Sequence, residues 1–93
     1  MSNNKPTTKI GQELDFSKQA IKFIAKQDKS TQKRLRDAIE SYPEGRETLT
    51  GYAFYKKRVG DFRIIFDNMG KVLKVELVDN RGEIYRRLQR GNY

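Results

Sequence analysis

The sequence predicts an α+β domain in which two N-terminal helices pack on one face of a curved, mainly antiparallel β-sheet. Three observations predict it. Helical periodicity is confined to residues 17–42; beyond Gly51 the apolar period shortens to two; and glycine-containing turns divide that second half into short strands. With 93 residues the chain is one domain. Residues 1–8 are polar and offer nothing to bury, so we read them as a flexible leader to a single domain over residues 9–93.

The elements follow in order. Ile10, Leu14 and Phe16 mark a short first strand. Ser17 is suited to cap a helix whose apolar face is Ala20, Ile21, Phe23 and Ile24. Ser30 is the expected cap of a second helix, where Leu35, Ala38, Ile39 and Tyr42 fall at i, i+3, i+4 and i+7. Pro43 and Gly45 end it. Tyr52 to Val59 and Phe62 to Asp67 then read as strands joined by the two-residue turn Gly60-Asp61. Asn68-Met69-Gly70 turns into a third strand, Val72 to Val78. Asn80-Arg81-Gly82 breaks that strand, and Ile84 to Leu88 is the expected last strand.

Charge and composition narrow the function. Twenty Lys and Arg against twelve Asp and Glu give a formal net charge of +8, a field that attracts polyanions. No cysteine is present, so disulfides and thiolate metal sites are excluded. No histidine is present either, which removes the commonest general base and metal ligand. No run approaches the roughly 18 apolar residues of a membrane span, and no secretory signal is visible. The expectation is a cytoplasmic protein with no membrane partner, no metal and no cofactor.

Alternate side chains of a strand share a face. Tyr52, Phe54, Lys56 and Arg58 therefore point one way, and Ala53, Tyr55, Lys57 and Val59 the other, toward the core. Lys57 is the misfit of that core set, expected to snorkel at its edge. Lys56 and Arg58 are expected on the face that the helices leave open, where Arg63, Arg81 and Tyr85 can join them. Such a group suits a scissile phosphate. Arginine contacts phosphate bidentately, a lysine crowded by cations is a candidate base, and a tyrosine can stack on a nucleobase. On spacing alone, the same cations also fit a solvated sheet face, and Tyr85 a half-buried strand aromatic. Lys33, Arg34 and Arg36 read as a solvated helix face.

These residues also carry a resemblance. Leu49-Thr50-Gly51, followed by Tyr55-Lys56-Lys57-Arg58-Val59-Gly60-Asp61-Phe62-Arg63-Ile64-Ile65-Phe66, resembles the central signature of the RelE/ParE toxin superfamily. Val78-Asp79-Asn80-Arg81-Gly82-Glu83-Ile84-Tyr85 is similar to that family's C-terminal Val-Gly-His-Arg-x-x-Val-Tyr segment, and Phe16-Ser17-Lys18-Gln19-Ala20 to its opening Phe-Ser-x-x-Ala. The match runs in family order from about residue 14 to about residue 88.

The resemblance implies a RelE-like mRNA interferase. Such a toxin enters the ribosomal A site and cuts mRNA there without metal, the ribose 2′-hydroxyl attacking the adjacent phosphate. It implies catalytic positions at Lys56, Arg58, Arg63, Arg81 and Tyr85. Lys56 would act as base, Arg58 and Arg63 would stabilise the transition state, Arg81 would contact the phosphate or protonate the leaving oxygen, and Tyr85 would stack. Asn80 stands where some branches carry histidine, which leaves the histidine-free chemistry. Glu44 and Glu47 lie near the place where some relatives carry a glutamate. The implied partners are mRNA, the ribosome and a cognate antitoxin, in a complex that is oligomeric. The alternatives are a ParE-like inhibitor of DNA gyrase without nuclease activity and a non-catalytic RNA-binding domain.

Overall fold

The computed structural model describes residues 6–91. Residues 1–5 of the expected leader, and residues 92–93, lie outside the described residues. Within the leader, Thr7 forms an antiparallel bridge with Glu13, and Thr8 is buried.

The chain runs β1 (Glu13–Phe16), α1 (Lys18–Ala25), α2 (Lys29–Glu40), β2 (Glu47–Thr48), β3 (Tyr55–Val59), β4 (Phe62–Asn68), β5 (Val72–Asn80) and α3 (Arg81–Arg90). One five-stranded sheet has the order β1-β5-β4-β3-β2. Only the β1–β5 pair is parallel, so the sheet is mixed but mainly antiparallel, as expected. A register shift between Ile65 and Phe66 marks a bulge against β5, which bends the paired strands.

Packing follows the alternation of the strands. Ile64, Phe66, Leu73, Val75 and Val78 meet Ala20 of α1 and Leu35 and Ile39 of α2, with Tyr42 completing the core. Phe23 adds an edge-on contact with Phe62 at 5.7 Å. Ile21, counted on the apolar face of α1, instead stands exposed. The outer edge of β5 is sealed beyond the end of β1 by side chains. Ser17 Oγ donates to the Glu76 carbonyl, and the Gln19 amide exchanges two hydrogen bonds with the backbone of Val78, at 2.7 and 2.9 Å.

The structure corrects four sequence expectations. Ile84 to Leu88 is not a strand but the middle of α3. Ile84 and Leu88, one helical turn apart, pack with Leu49, Ile65 and Leu77 on the opposite face of the sheet from α1 and α2. That face is therefore partly covered rather than left open. The helix closes on Gly91 in the left-handed region (φ 71°), with Glu83 in its first turn and Arg87 and Arg90 in its last, a charge order that its dipole favours. Strand β3 begins at Tyr55, not Tyr52, and the short β2 pairs with it.

The fourth correction is the cap of α2, which is Asp28 and not Ser30. The Asp28 carboxylate accepts the Thr31 N–H at 2.8 Å. That hydrogen bond holds the carboxyl below its ordinary value of 3.8. A depressed carboxyl stabilises the fold above its unfolded value and loses that contribution as pH falls through the folded one. Asn caps equally well without titrating. Asp28→Asn is thus expected to make the decline of thermal stability below about pH 4 shallower, as read by melts over a pH series. An unchanged acid limb would remove this role.

Candidate functional site

The site residues come from three elements. Lys56 and Arg58 share one face of β3, and Arg63 is the cross-strand partner of Arg58 on β4. The Gly60-Asp61 turn fixes this register. It is the expected two-residue hairpin, with Gly60 at φ 59°, a conformation that a Cβ would strain. Arg81 and Tyr85 lie four residues apart on α3 and so share one helix face. The helix delivers Tyr85 where a strand had been expected to, and begins at Arg81, which had been expected at a break.

Lys56 and Tyr85 meet. Lys56 Nζ donates to the Tyr85 hydroxyl at 3.0 Å and stands 5.6 Å from the ring centroid, while the Tyr85 side chain stays 41% exposed. Phe54 packs against the α3-side core, on the face that Lys56 shares. A second partner of Lys56 comes from β2. Glu47 is the cross-strand neighbour of Lys56, and its carboxylate lies 3.8 Å from Lys56 Nζ. The same carboxylate receives Arg58 at 3.0 Å from Nε and 2.9 Å from Nη2. Glu47 thus ties together two of the expected cations. Spacing placed it near the strand but not in the group, because its position depends on the β2–β3 register.

Arg63 and Arg81 are placed differently. Arg63 is buried, and its Nη1 donates to the carbonyls of Gly60 at 3.0 Å and Phe62 at 2.9 Å, bracing the turn. Arg81 is exposed at the start of α3. Its backbone N–H donates to the Asp61 carbonyl at 2.9 Å, and its side chain has no hydrogen-bond or ion-pair partner among the described residues. Asp79, on the Arg58–Arg63 face, is buried and receives Arg87 at 2.7 Å.

Lys57, on the opposite face, is the misfit that the alternation implied, but it is buried instead of snorkelling to the edge. Its Nζ donates to the Ala38 carbonyl at 2.6 Å and to Ser41 Oγ at 2.8 Å, closing the C-terminal turn of α2. Burial pushes its ammonium below the ordinary lysine range, against the attraction of Glu44. Glu44 itself pairs with Lys9, and that hydrogen bond lowers its carboxyl. Among the described residues no His, Cys, Asp or Glu side chains cluster in threes to hold a metal ion. No helix among them is long and apolar enough to cross a membrane.

A basic strand pair, a carboxylate and a tyrosine over a lysine can grip a phosphate, orient a base beside it and move a proton at a nearby hydroxyl. Comparison with known proteins bears on the fold that carries this group. No family model matches the sequence, and no curated protein does. Solved structures do. A chain of the RelB–RelE antitoxin–toxin complex of Methanococcus jannaschii superposes with a TM-score of 0.62 at 23% identity, over 76% of this chain and 94% of that one. The archaeal RelE–RelB complex of Pyrococcus horikoshii gives 0.61 at 26% identity, over 77% and 97%. The isolated RelE toxin of E. coli gives 0.59 at 21% identity, over 86% and 97%. The chain thus has the fold of the RelE toxins.

Proposed function

We propose that this protein is a RelE-type toxin, an endoribonuclease that cuts mRNA in the ribosomal A site and so inhibits translation. The observation that carries the reading is the meeting of Lys56 and Tyr85, 3.0 Å apart, beside Arg58 and one helical turn from Arg81. In the proposed reaction the 2′-oxygen of a ribose forms a bond to the adjacent phosphorus. The bond from phosphorus to the 5′-oxygen of the next nucleotide breaks, and that oxygen takes a proton from water, leaving a cyclic phosphate and a 5′-hydroxyl.

Lys56 accepts the 2′-hydroxyl proton once its ammonium has given one up to water, and the Glu47 carboxylate 3.8 Å away balances the charge it regains. Arg58 turns from Glu47 to the phosphate, and Arg63 adds its charge from the braced turn. Arg81, exposed and without a side-chain partner among the described residues, stabilises the charge on the leaving oxygen. Tyr85 stacks on the nucleobase that it orients. Because Arg58 and Glu47 already bond each other, substrate phosphate competes with a carboxylate for the same guanidinium. Exposed pairs of this kind are worth about 1 kcal/mol or less, so the exchange is easy.

RelB–RelE complexes among the structural neighbours support an antitoxin partner for this chain as well. An acidic segment of that partner would find an excess of eight positive charges to neutralise.

The test is cleavage on programmed ribosomes, mapped by primer extension, with free RNA and gyrase supercoiling assayed in parallel. A cut within the A-site codon is the expected result. Blocked supercoiling without a cut would move the protein to the ParE type, and salt-sensitive RNA binding with neither effect would make it a binding domain. Glu47→Gln is expected to slow the cut about tenfold or more, since it removes the carboxylate from the proton-accepting pair. Unchanged single-turnover rates would leave Glu47 outside the chemistry.

A further inference from the structure

The tip of the β3–β4 hairpin gathers arginines from four elements. Arg58 and Arg63 flank it as a cross-strand pair, and Arg63 donates to two carbonyls of the turn. Arg81 enters from α3, its N–H on the Asp61 carbonyl. The fourth is Arg34 of α2, which reaches the turn from the other side of the sheet. A Cβ at Gly60 would stand only 2.8 Å from Arg34 Nη2, so the glycine leaves the space in which that guanidinium rests.

Arg34 is exposed and has no hydrogen-bond or ion-pair partner among the described residues; its charge is felt at Asp28. The nearby acids are largely engaged: Glu47 with Arg58, and Asp79 with Arg87. Asp61 alone stands against the arginines at the tip itself. Positive side chains therefore stand on the Lys56 face, at the hairpin tip and on the helix side of the sheet, outnumbering Asp61 at the turn. The reaction has no use for Arg34, because Lys56 and Tyr85 lie on the α3 side.

We propose that the hairpin tip, with Arg34, is a backbone track for single-stranded RNA, Arg34 holding a phosphate beyond the nucleotides at the cut. Guanidinium groups that converge on one turn from both sides of a sheet suit a phosphodiester chain. That the strand leads away from a cutting site rests on the nuclease reading; the phosphate contact does not.

The experiment measures binding of a 2′-O-methyl single-stranded RNA oligomer, which cannot be cut, by fluorescence anisotropy over a salt series. Each phosphate contact on single-stranded nucleic acid contributes about 0.7 to the slope of log affinity against log salt. Arg34→Gln is expected to reduce the slope by about that amount, and Arg34→Lys to preserve it. Lys71→Gln is the control. It removes the same charge from the β4–β5 turn, about 20 Å away at the other end of β4.

A slope unaffected by Arg34→Gln, or lowered equally by Lys71→Gln, overturns the track. Ribosomal cutting by the unaltered protein is measured alongside. Cutting with an Arg34-independent slope removes the track and keeps the nuclease. An Arg34-dependent slope without any cut keeps the track and removes the nuclease.

Discussion

Lys56→Ala is expected to lower the single-turnover rate of A-site cutting by about 10²–10⁴-fold, the range for loss of a positioned proton-transfer group. The fold should survive. The partners of Lys56 are Glu47 and Tyr85, both in the site, and neither helix-side core residue nor turn backbone depends on its ammonium. Lys56→Arg separates two roles. Arginine keeps the charge but hardly gives up a proton, so a variant that stays inactive places Lys56 in proton transfer. Recovery of most of the rate would instead make its contribution electrostatic. Primer extension reads the cut, and circular dichroism confirms that both variants are folded. Cutting by Lys56→Ala at the normal rate would dismantle the proposed site.

Leu88→Ala should have the second large effect, and through a different route. Leu88 is buried, and with Ile84 it anchors α3 to Leu49, Ile65 and Leu77. Truncating a buried leucine costs about 2–5 kcal/mol, against a total of roughly 5–15 kcal/mol for a domain of this size. A drop in melting temperature on the order of 10–20 °C is expected. Because Ile84 and Leu88 are the buried side chains of α3, its detachment is expected to be cheaper than global unfolding. Detachment carries away Tyr85 and Arg81, so cutting falls while the helix-side core persists. Hydrogen exchange should show fast exchange in 81–90 with β4 and β5 still protected. An unchanged melting point and rate would mean that α3 is held by something other than this contact. The exposed Arg86 makes a suitable comparison, since Arg86→Ala removes only a surface pair with Glu83.

Much of this was legible in the residues. The Ser17 cap, the stripe of α2, the Gly60-Asp61 turn and the two faces of β3 all follow from local chemistry, and the structure has each of them. Lys57 was visible as a misfit because a charged residue in a core alternation must find carbonyls, which it does at the end of α2. The nature of α3 was not visible. Ile84 and Leu88 are too few to set a period, and Gly82 reads as a breaker although the first turn of a helix tolerates it. Asp28 and Ser30 are both good caps, and the helix starts two residues earlier than expected, on Asp28. Glu47 was underrated for a different reason: seven residues separate it from Tyr55, so its place beside Lys56 depends on the path of that loop.

The pairing of β1 with β5 joins residues 13–16 to residues 72–75. A chain emerging from the ribosome therefore makes both helices long before the strands that cover their apolar faces. Non-local pairing of this kind delays folding until nearly the whole sequence is available. Tyr85 comes later still. Every truncated nascent chain that ends before α3 lacks the tyrosine and the arginine that this helix would bring to the proposed site, so under that proposal the site is assembled only after the sheet it rests on.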